Sequence, residues 1–384
     1  PSRGLGDVYK RQGMYWYFGV MAVCGVLVMI GYKYRVTMAT YALLWSGVYF
    51  MQKTSYNNHY YLLMLLSWMM VLFPANAYAS VDARINPEIK SNVMPAWCRW
   101  AVILQLAIVY TYAAVAKLYP EWLNGTFTGG ILNKASHHYH VAFFREKWFH
   151  IFIAYMGIAF DLLIVPALLW KKSRPFAFAA AFIFHLFNSS TLHIGIFPYL
   201  ALALFVFLIP VDRISKLLFP KKNLLAVKTN DKPQQWWLYV FVPYFIFQIL
   251  MPLRHHVIKG NVIWTEEGHR LSWRMMLRKR RGYAQFTVKD KQTGKSWVYD
   301  TGDVLTPVQQ RNIQTKPDML WQMAQYIKQE YHEKGMDVAV YITAKTRINN
   351  GIPYLLIDPK TDMATAEWNY FWHNDWILLY DRLK

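Results

Sequence analysis

Negative charge is scarce in this chain: 22 aspartates and glutamates stand against 42 lysines and arginines, a formal net charge of +20. Such a balance would suit nucleic acid, but the basic residues sit mainly in short loops between apolar runs and thin out in the tail. Membrane topology explains much of them, so nucleic acid is not an expected partner. Cysteine is scarcer still. Cys24 and Cys98 lie in or beside apolar segments, with neither metal-ligand spacing nor a disulfide framework, and they say nothing about redox compartment. Internal repeats, a Walker loop, a dinucleotide fingerprint and a nucleophile elbow are all missing.

What the chain has in abundance is apolar length: 55% of its 384 residues are hydrophobic and only 17% are charged. This predicts a polytopic α-helical membrane domain of about eight spans, followed by a C-terminal, outer-side, β-sandwich-like α+β domain. The expected spans are residues 14–31, 36–51, 60–73, 96–117, 148–170, 175–192, 194–210 and 236–253. Residues 1–13, PSRGLGDVYKRQG, resemble a translated adapter read and are set aside. The expectation is a native start near Met14 with a segment missing before it. That leaves a membrane domain over 14–255 and a polar domain over 256–384.

Charge sets the orientation. One set of loops carries Lys33 and Arg35; Arg84 and Lys90; Lys171, Lys172 and Arg174; and Arg213, Lys216, Lys221, Lys222, Lys228 and Lys232. The opposite loops hold only Lys53, Lys134, Arg145 and Lys147. By the positive-inside rule the first set is cytoplasmic. His59, the exit of the fourth span and everything after Leu253 then lie on the outer or lumenal side. The protein is expected in the endoplasmic reticulum or a bacterial inner membrane, with lipid as its surroundings.

Several polar residues interrupt the apolar runs. Lys117 ends the run QLAIVYTYAAVAKLYPEW. It can snorkel to the headgroups, or it can face inward, where desolvation lowers its pKa and leaves a neutral amine able to take a proton from a weak acid. Asn57-Asn58-His59 stands at a span boundary, either as a helix cap or as the lining of a polar pocket. Asp161 sits inside a span and needs a partner or a wet cavity. His185 and Asn188, three apart on one helix face, are followed by Ser189, Ser190 and His193; they could equally glue helices together. Arg254-His255-His256 closes the last span. His137-His138-Tyr139-His140 lacks carboxylates at ligand spacing, so no metal is expected.

In the tail, residues 283–290 and 295–299 flank Lys291-Gln292-Thr293-Gly294 as a hairpin. Pro317 opens a helix to about Glu333, with Leu320, Met323, Ile327 and Tyr331 on one stripe. Residues 336–348 and 352–357 read as strands. Trp368, Trp372 and Trp376 recur every four residues and suggest a packed helical or turn face. A domain of about 120 residues is large enough for its own core.

Taken together, KTSYNNHYYL (53–62), SVDARINP (80–87), VYTYAAVAKLYPEW (109–122), FIFHLFNSSTLHIGIFPYLALA (182–203) and LSWRMM (271–276) resemble the vitamin K-dependent gamma-glutamyl carboxylase family. That family belongs to the wider group of horizontally transferred transmembrane domains; this chain looks like a microbial or marine relative lacking the first span. The resemblance implies an integral membrane enzyme that uses O2 to convert vitamin K hydroquinone to the epoxide. The base formed on the way removes a gamma proton from glutamate in a peptide or protein, and the carbanion captures CO2. By the same resemblance Lys117 is the catalytic base and His59, with Asn57 and Asn58 before it, holds the quinone oxygens. His185 and Asn188 form a facing polar pair, and His255 and Asp161 fall on family positions. No metal is implied. Ala116 departs from the two consecutive lysines of vertebrate members, and the short tail leaves propeptide recognition doubtful. Two other readings fit the residues: a quinol epoxidase that does not carboxylate protein, and a non-catalytic membrane immunity or transport protein.

Overall fold

The computed structural model describes residues 5–91, 93–192, 195–210, 235–275, 278–349 and 351–380. The basic cluster between Arg213 and Lys232 and the histidine at 193 lie outside the described residues. Two compact units emerge: Pro1–Ala107 with Val165–Val242, and Ile108–Ile164 with Pro243–Lys384.

Helices occupy every expected span: α1 (Leu5–Ile30), α2 (Tyr34–Met51), α3 (Asn58–Leu72), α4 (Ala96–Val115), α6 (Lys147–Leu169), α7 (Arg174–Leu192), α8 (Phe197–Leu204) and α9 (Trp236–Leu253), with α5 (Thr126–Tyr139) between α4 and α6. Among the described residues, four stretches are long and apolar enough to cross a membrane: Gln12–Ile30, Ala96–Val115, Lys147–Leu169 and Trp236–His256. The sequence predicts about eight. Helix α3 shows why the two counts differ: its 15 residues rise about 22 Å at 1.5 Å each, short of a hydrocarbon core of about 30 Å.

In the first unit, Asp82 of the SVDARINP stretch ties two helix starts together. Its carboxylate accepts from the backbone N–H of Lys33 at 2.7 Å and of Tyr34 at 2.9 Å, at the head of α2. Asn76 donates to the same carboxylate at 2.8 Å. A negative charge on the orphan N–H groups of a helix start is favourable twice over, by hydrogen bonding and by the helix dipole. Gly31 makes this approach feasible, because its φ is +66° and a Cβ there would meet Ser80 at 2.5 Å.

The tail of the second unit forms one antiparallel sheet in the order β2-β1-β3-β4, from β1 (Arg280–Asp290), β2 (Ser296–Tyr299), β3 (Val338–Ile348) and β4 (Tyr354–Leu355). The expected hairpin is present, with Phe286 opposite Tyr299 and Val288 opposite Trp297. Two further helices follow it, α10 (Pro307–Ile313) and α11 (Pro317–Glu333). Helix α11 buries Leu320, Met323, Ala324 and Ile327 in one core with Val338, Val340 and Ile342. Each such side chain contributes about 1.5–3 kcal/mol by leaving water. The sandwich is thus replaced by an α+β layer pair: among the described residues a helix, not a second sheet, covers the face. The tryptophan stretch is a turn rather than a helix, and Trp368 and Trp376 alone of the three pack on the core. Trp376 is buried and Trp372 exposed, because Asn369 accepts from the N–H groups of Phe371 and Trp372 and holds an irregular turn.

Candidate functional site

In the second unit, α4 ends at Val115 and the chain turns at once, with Lys117 N–H donating to Ala114 and Tyr119 N–H to Lys117. The turn carries Lys117 inward. The residue is only 9% exposed and Asp161, in the middle of α6, 5%. Their side chains form an ion pair. Lys117 Nζ also donates to the Ala113 carbonyl at 3.3 Å and lies 5.4 Å from the centre of the Trp122 ring. The indole is fixed by its own bond to the Ala154 carbonyl at 3.0 Å. Ala116, Tyr119, Phe127 and Ile263 complete an apolar shell.

Snorkelling is therefore not what Lys117 does. The partner that Asp161 requires is Lys117, so its carboxylate is engaged by the amine. Of the two expected placements, headgroup or interior, Lys117 takes the interior one, with Asp161 beside it.

In the first unit, Asn57 caps α3: its side chain accepts from His59 N–H at 2.8 Å. That places His59 and Asn58 in the first turn, both buried. Tyr56 Oη donates to Asn58 Oδ1 at 2.8 Å. The His59 ring stacks on Phe197 with centroids 4.3 Å apart and planes at 16°. His185, fully buried on α7, meets the same phenylalanine edge-on at 5.8 Å. Two histidines far apart in sequence thus share one aromatic ring, and Asn188 lies half-buried one turn beyond.

His255 belongs to the second unit, after α9. Its Nδ1 donates to the Pro252 carbonyl at 2.7 Å, so its Nε2 is the acceptor facing the Arg274 guanidinium at 3.3 Å. Gly268 packs against it, where a Cβ would meet the His255 Cβ at 2.8 Å. Among the described residues no three histidine, cysteine, aspartate or glutamate side chains gather as a metal site; His137 and His138 are exposed in the last turn of α5.

Residues 6–212 match the HTTM domain, and residues 233–382 match the vitamin K-dependent gamma-carboxylase lumenal domain. The chain belongs to the gamma-carboxylase family. No solved structure matches it. Within this gamma-carboxylase relative, Asn57, Asn58, His59, Lys117, Asp161, His185 and Asn188 fall in the HTTM match, while His255 and Arg274 fall in the lumenal-domain match. Three contributors escaped sequence reasoning as site residues: Phe197, Trp122 and Arg274. Each stands inside a stretch that carries the family resemblance, which was the available signal.

Proposed function

We propose that this protein is an integral membrane enzyme that converts vitamin K hydroquinone to the epoxide with O2 and, coupled to this, carboxylates glutamate in a peptide or protein with CO2. The observation that carries the reading is the buried Lys117–Asp161 pair. A structural ion pair in an apolar span is costly, and an apolar pair of equal volume would often serve folding as well. A lysine and an aspartate held together there have a chemical use as a proton-transfer pair.

The residues present suit a hydroquinone, whose ring is apolar and whose hydroxyls exchange protons. Asn58 and His59 offer hydrogen-bonding groups beside an aromatic face, Phe197. In this reading the Lys117–Asp161 pair takes the quinol proton, and the ammonium that results steadies negative charge on the oxygen left behind. His59, Asn58, His185 and Asn188 hold the quinone oxygens, and the Asn57 cap fixes the turn that carries two of them. Bound vitamin K hydroquinone supplies, through its reaction with O2, the strong base needed at the gamma carbon. The chain's part in that second step is to exclude water, which would otherwise quench a carbanion.

We place the protein in the endoplasmic reticulum or a bacterial inner membrane, with about eight spans, a boundary near residue 255 and the C-terminal domain on the lumenal or periplasmic side. Purified protein given reduced vitamin K, labelled bicarbonate and a glutamate peptide should form epoxide and labelled peptide in step, and Lys117→Ala should form neither. Epoxide with an unlabelled peptide reduces the activity to quinol oxygenation. No epoxide at all from folded wild-type protein removes the proposal.

A further inference from the structure

The lumenal-domain match contains a second cluster of charge, most of it half-buried, that the proposed reaction does not use. It surrounds a cavity of about 280 Å³ lined by Glu266, His269, Arg274, Arg278 and Arg280 from one stretch, and by Arg311, Asn312, Thr315 and Lys316 from the end of α10 and the approach to α11. Five cations thus face one carboxylate. The internal bonds leave the surplus in place. Arg278 pairs with Glu266, and Arg280 stands 3.5 Å from the same carboxylate oxygen. Arg280 spends its other donors on the carbonyls of Ile263, Trp264 and Thr315. Asp318, the next carboxylate along, is taken by Arg270 at 2.8 Å. Arg311 is exposed and Lys316 half-buried, and neither makes an ion pair among the described residues.

His269 points to the same conclusion without charge. Its Nδ1 is buried and has no hydrogen-bond partner among the described residues. Its Nε2 is 4.0 Å from Glu266, too far for a hydrogen bond. A buried polar atom left this way is unfavourable unless something fills the site. A surplus of cations around a partly closed space is likewise unfavourable unless an anion offsets it.

We infer that this cavity binds a compact dianionic oxyanion of the phosphate class, either free or as the phosphomonoester head of a lipid. The volume is at the small end for ligand pockets, which excludes a nucleotide-sized guest. A single carboxylate would neutralise too little of the surplus, whereas a phosphate group brings close to two charges and several acceptor oxygens. Guanidinium groups match such oxygens in pairs. A polynucleotide would need an open basic track rather than a cavity.

The test uses the full chain in nanodiscs and does not depend on the proposed enzyme activity. Equilibrium dialysis with radiolabelled inorganic phosphate should show saturable binding in phosphatidylcholine discs, and phosphate should raise the unfolding midpoint more than acetate at equal ionic strength. Arg311→Ala with Lys316→Gln, both outside the internal ion pairs, should weaken binding by about tenfold or more, the loss expected for one charge-assisted hydrogen bond. Lys328→Ala, which removes an exposed cation from the far part of α11, should leave it unchanged. Discs doped with phosphatidic acid separate the sources. If they raise the midpoint and free phosphate competes, the lipid head is the ligand; if they have no effect while phosphate binds, the free anion is. Failure of both phosphate and phosphatidic acid to outdo acetate overturns the inference, as does equal loss in the Lys328 variant.

Discussion

The second unit buries charge in two ways. Lys117 and Asp161 are one cation and one carboxylate from separate helices, closed in an apolar shell. Around Glu266 the same chain gathers Arg278, Arg280, Arg274, Arg311 and Lys316 on one carboxylate. The first set is balanced and the second is not. A balanced pair needs no ligand to offset its charge, so the role proposed for it lies in proton transfer. An unbalanced cluster is incomplete as it stands, so its role lies in what it attracts.

The balanced pair should break most severely when cut in half. Asp161→Asn leaves an ammonium buried without its counter-charge, and a cost of about 3–5 kcal/mol is expected. Urea or thermal unfolding in detergent measures it, and epoxide formation should fall at least about a hundredfold, as for loss of a general base. Replacing both residues together, Lys117→Met with Asp161→Leu, sharpens the contrast. Folding should recover to near wild type because no lone charge remains, while epoxide formation should stay lost. Recovery of activity in the double variant would make the pair purely structural.

Glu266→Gln should cost somewhat less, about 3 kcal/mol, because one of the two guanidinium groups it abandons, that of Arg280, still holds carbonyl partners. The unbalanced cluster makes a distinct prediction here. Phosphate should restore more stability to this variant than to the wild type, since the surplus of cations has grown. For Asp161→Asn, whose cavity is intact, phosphate should add no more than it adds to the wild type. Equal rescue of the two variants would erase the distinction between the clusters.

A smaller effect is expected at Phe197, which touches two histidines. Phe197→Leu removes the ring stacked on His59, worth about 0.5–1.5 kcal/mol beyond burial. The unfolding midpoint should fall by a few degrees. If His59 holds quinol oxygens, KM for reduced vitamin K should rise more than kcat falls.

How much of this was legible beforehand follows from which forces act locally. The hairpin and α11 were readable because period-two and period-3.6 patterns are written within a dozen residues. The helices were equally readable, but whether each crosses a bilayer was not, since α3 has the composition of a span without its length. Asp161 announced that it needed a partner; that the partner is Lys117, 44 residues away, depends on how two helices meet, which no local pattern encodes. Phe197 looked like one aromatic among many until two histidines converged on it. The tryptophans at 368, 372 and 376 carried a helical spacing, yet Asn369 satisfies its neighbours' N–H groups with its side chain and competes with the helix.

The finest test of the unbalanced cluster is its response to acid. Burial, with Arg278, Arg274 and Arg270 nearby, pushes the His269 pKa from its ordinary 6.5 down to about 3, although Glu266 pulls the other way. Glu266 itself is held below the usual carboxylate range: burial would raise it, but Arg278, His269 and Arg280 outweigh that. Both folded pKa values are depressed, so both contributions are complete above the unfolded values and fade as pH falls towards the folded ones. Their windows differ. Between about pH 6.5 and 4.5 the unfolded chain protonates His269 while the folded one refuses, and Glu266 is silent. One proton sets a limit of about 1.4 kcal/mol per pH unit there. His269→Gln should therefore lower the slope of the stability curve between pH 6.5 and 4.5 by up to that amount and leave the loss below 4.5, where Glu266 takes over. Bound phosphate should flatten the upper window as well, because an anion in the cavity makes a proton on His269 easier to carry when folded. If the variant and wild-type curves run parallel across that window, this imidazole is not the neutral group that the cluster keeps it to be.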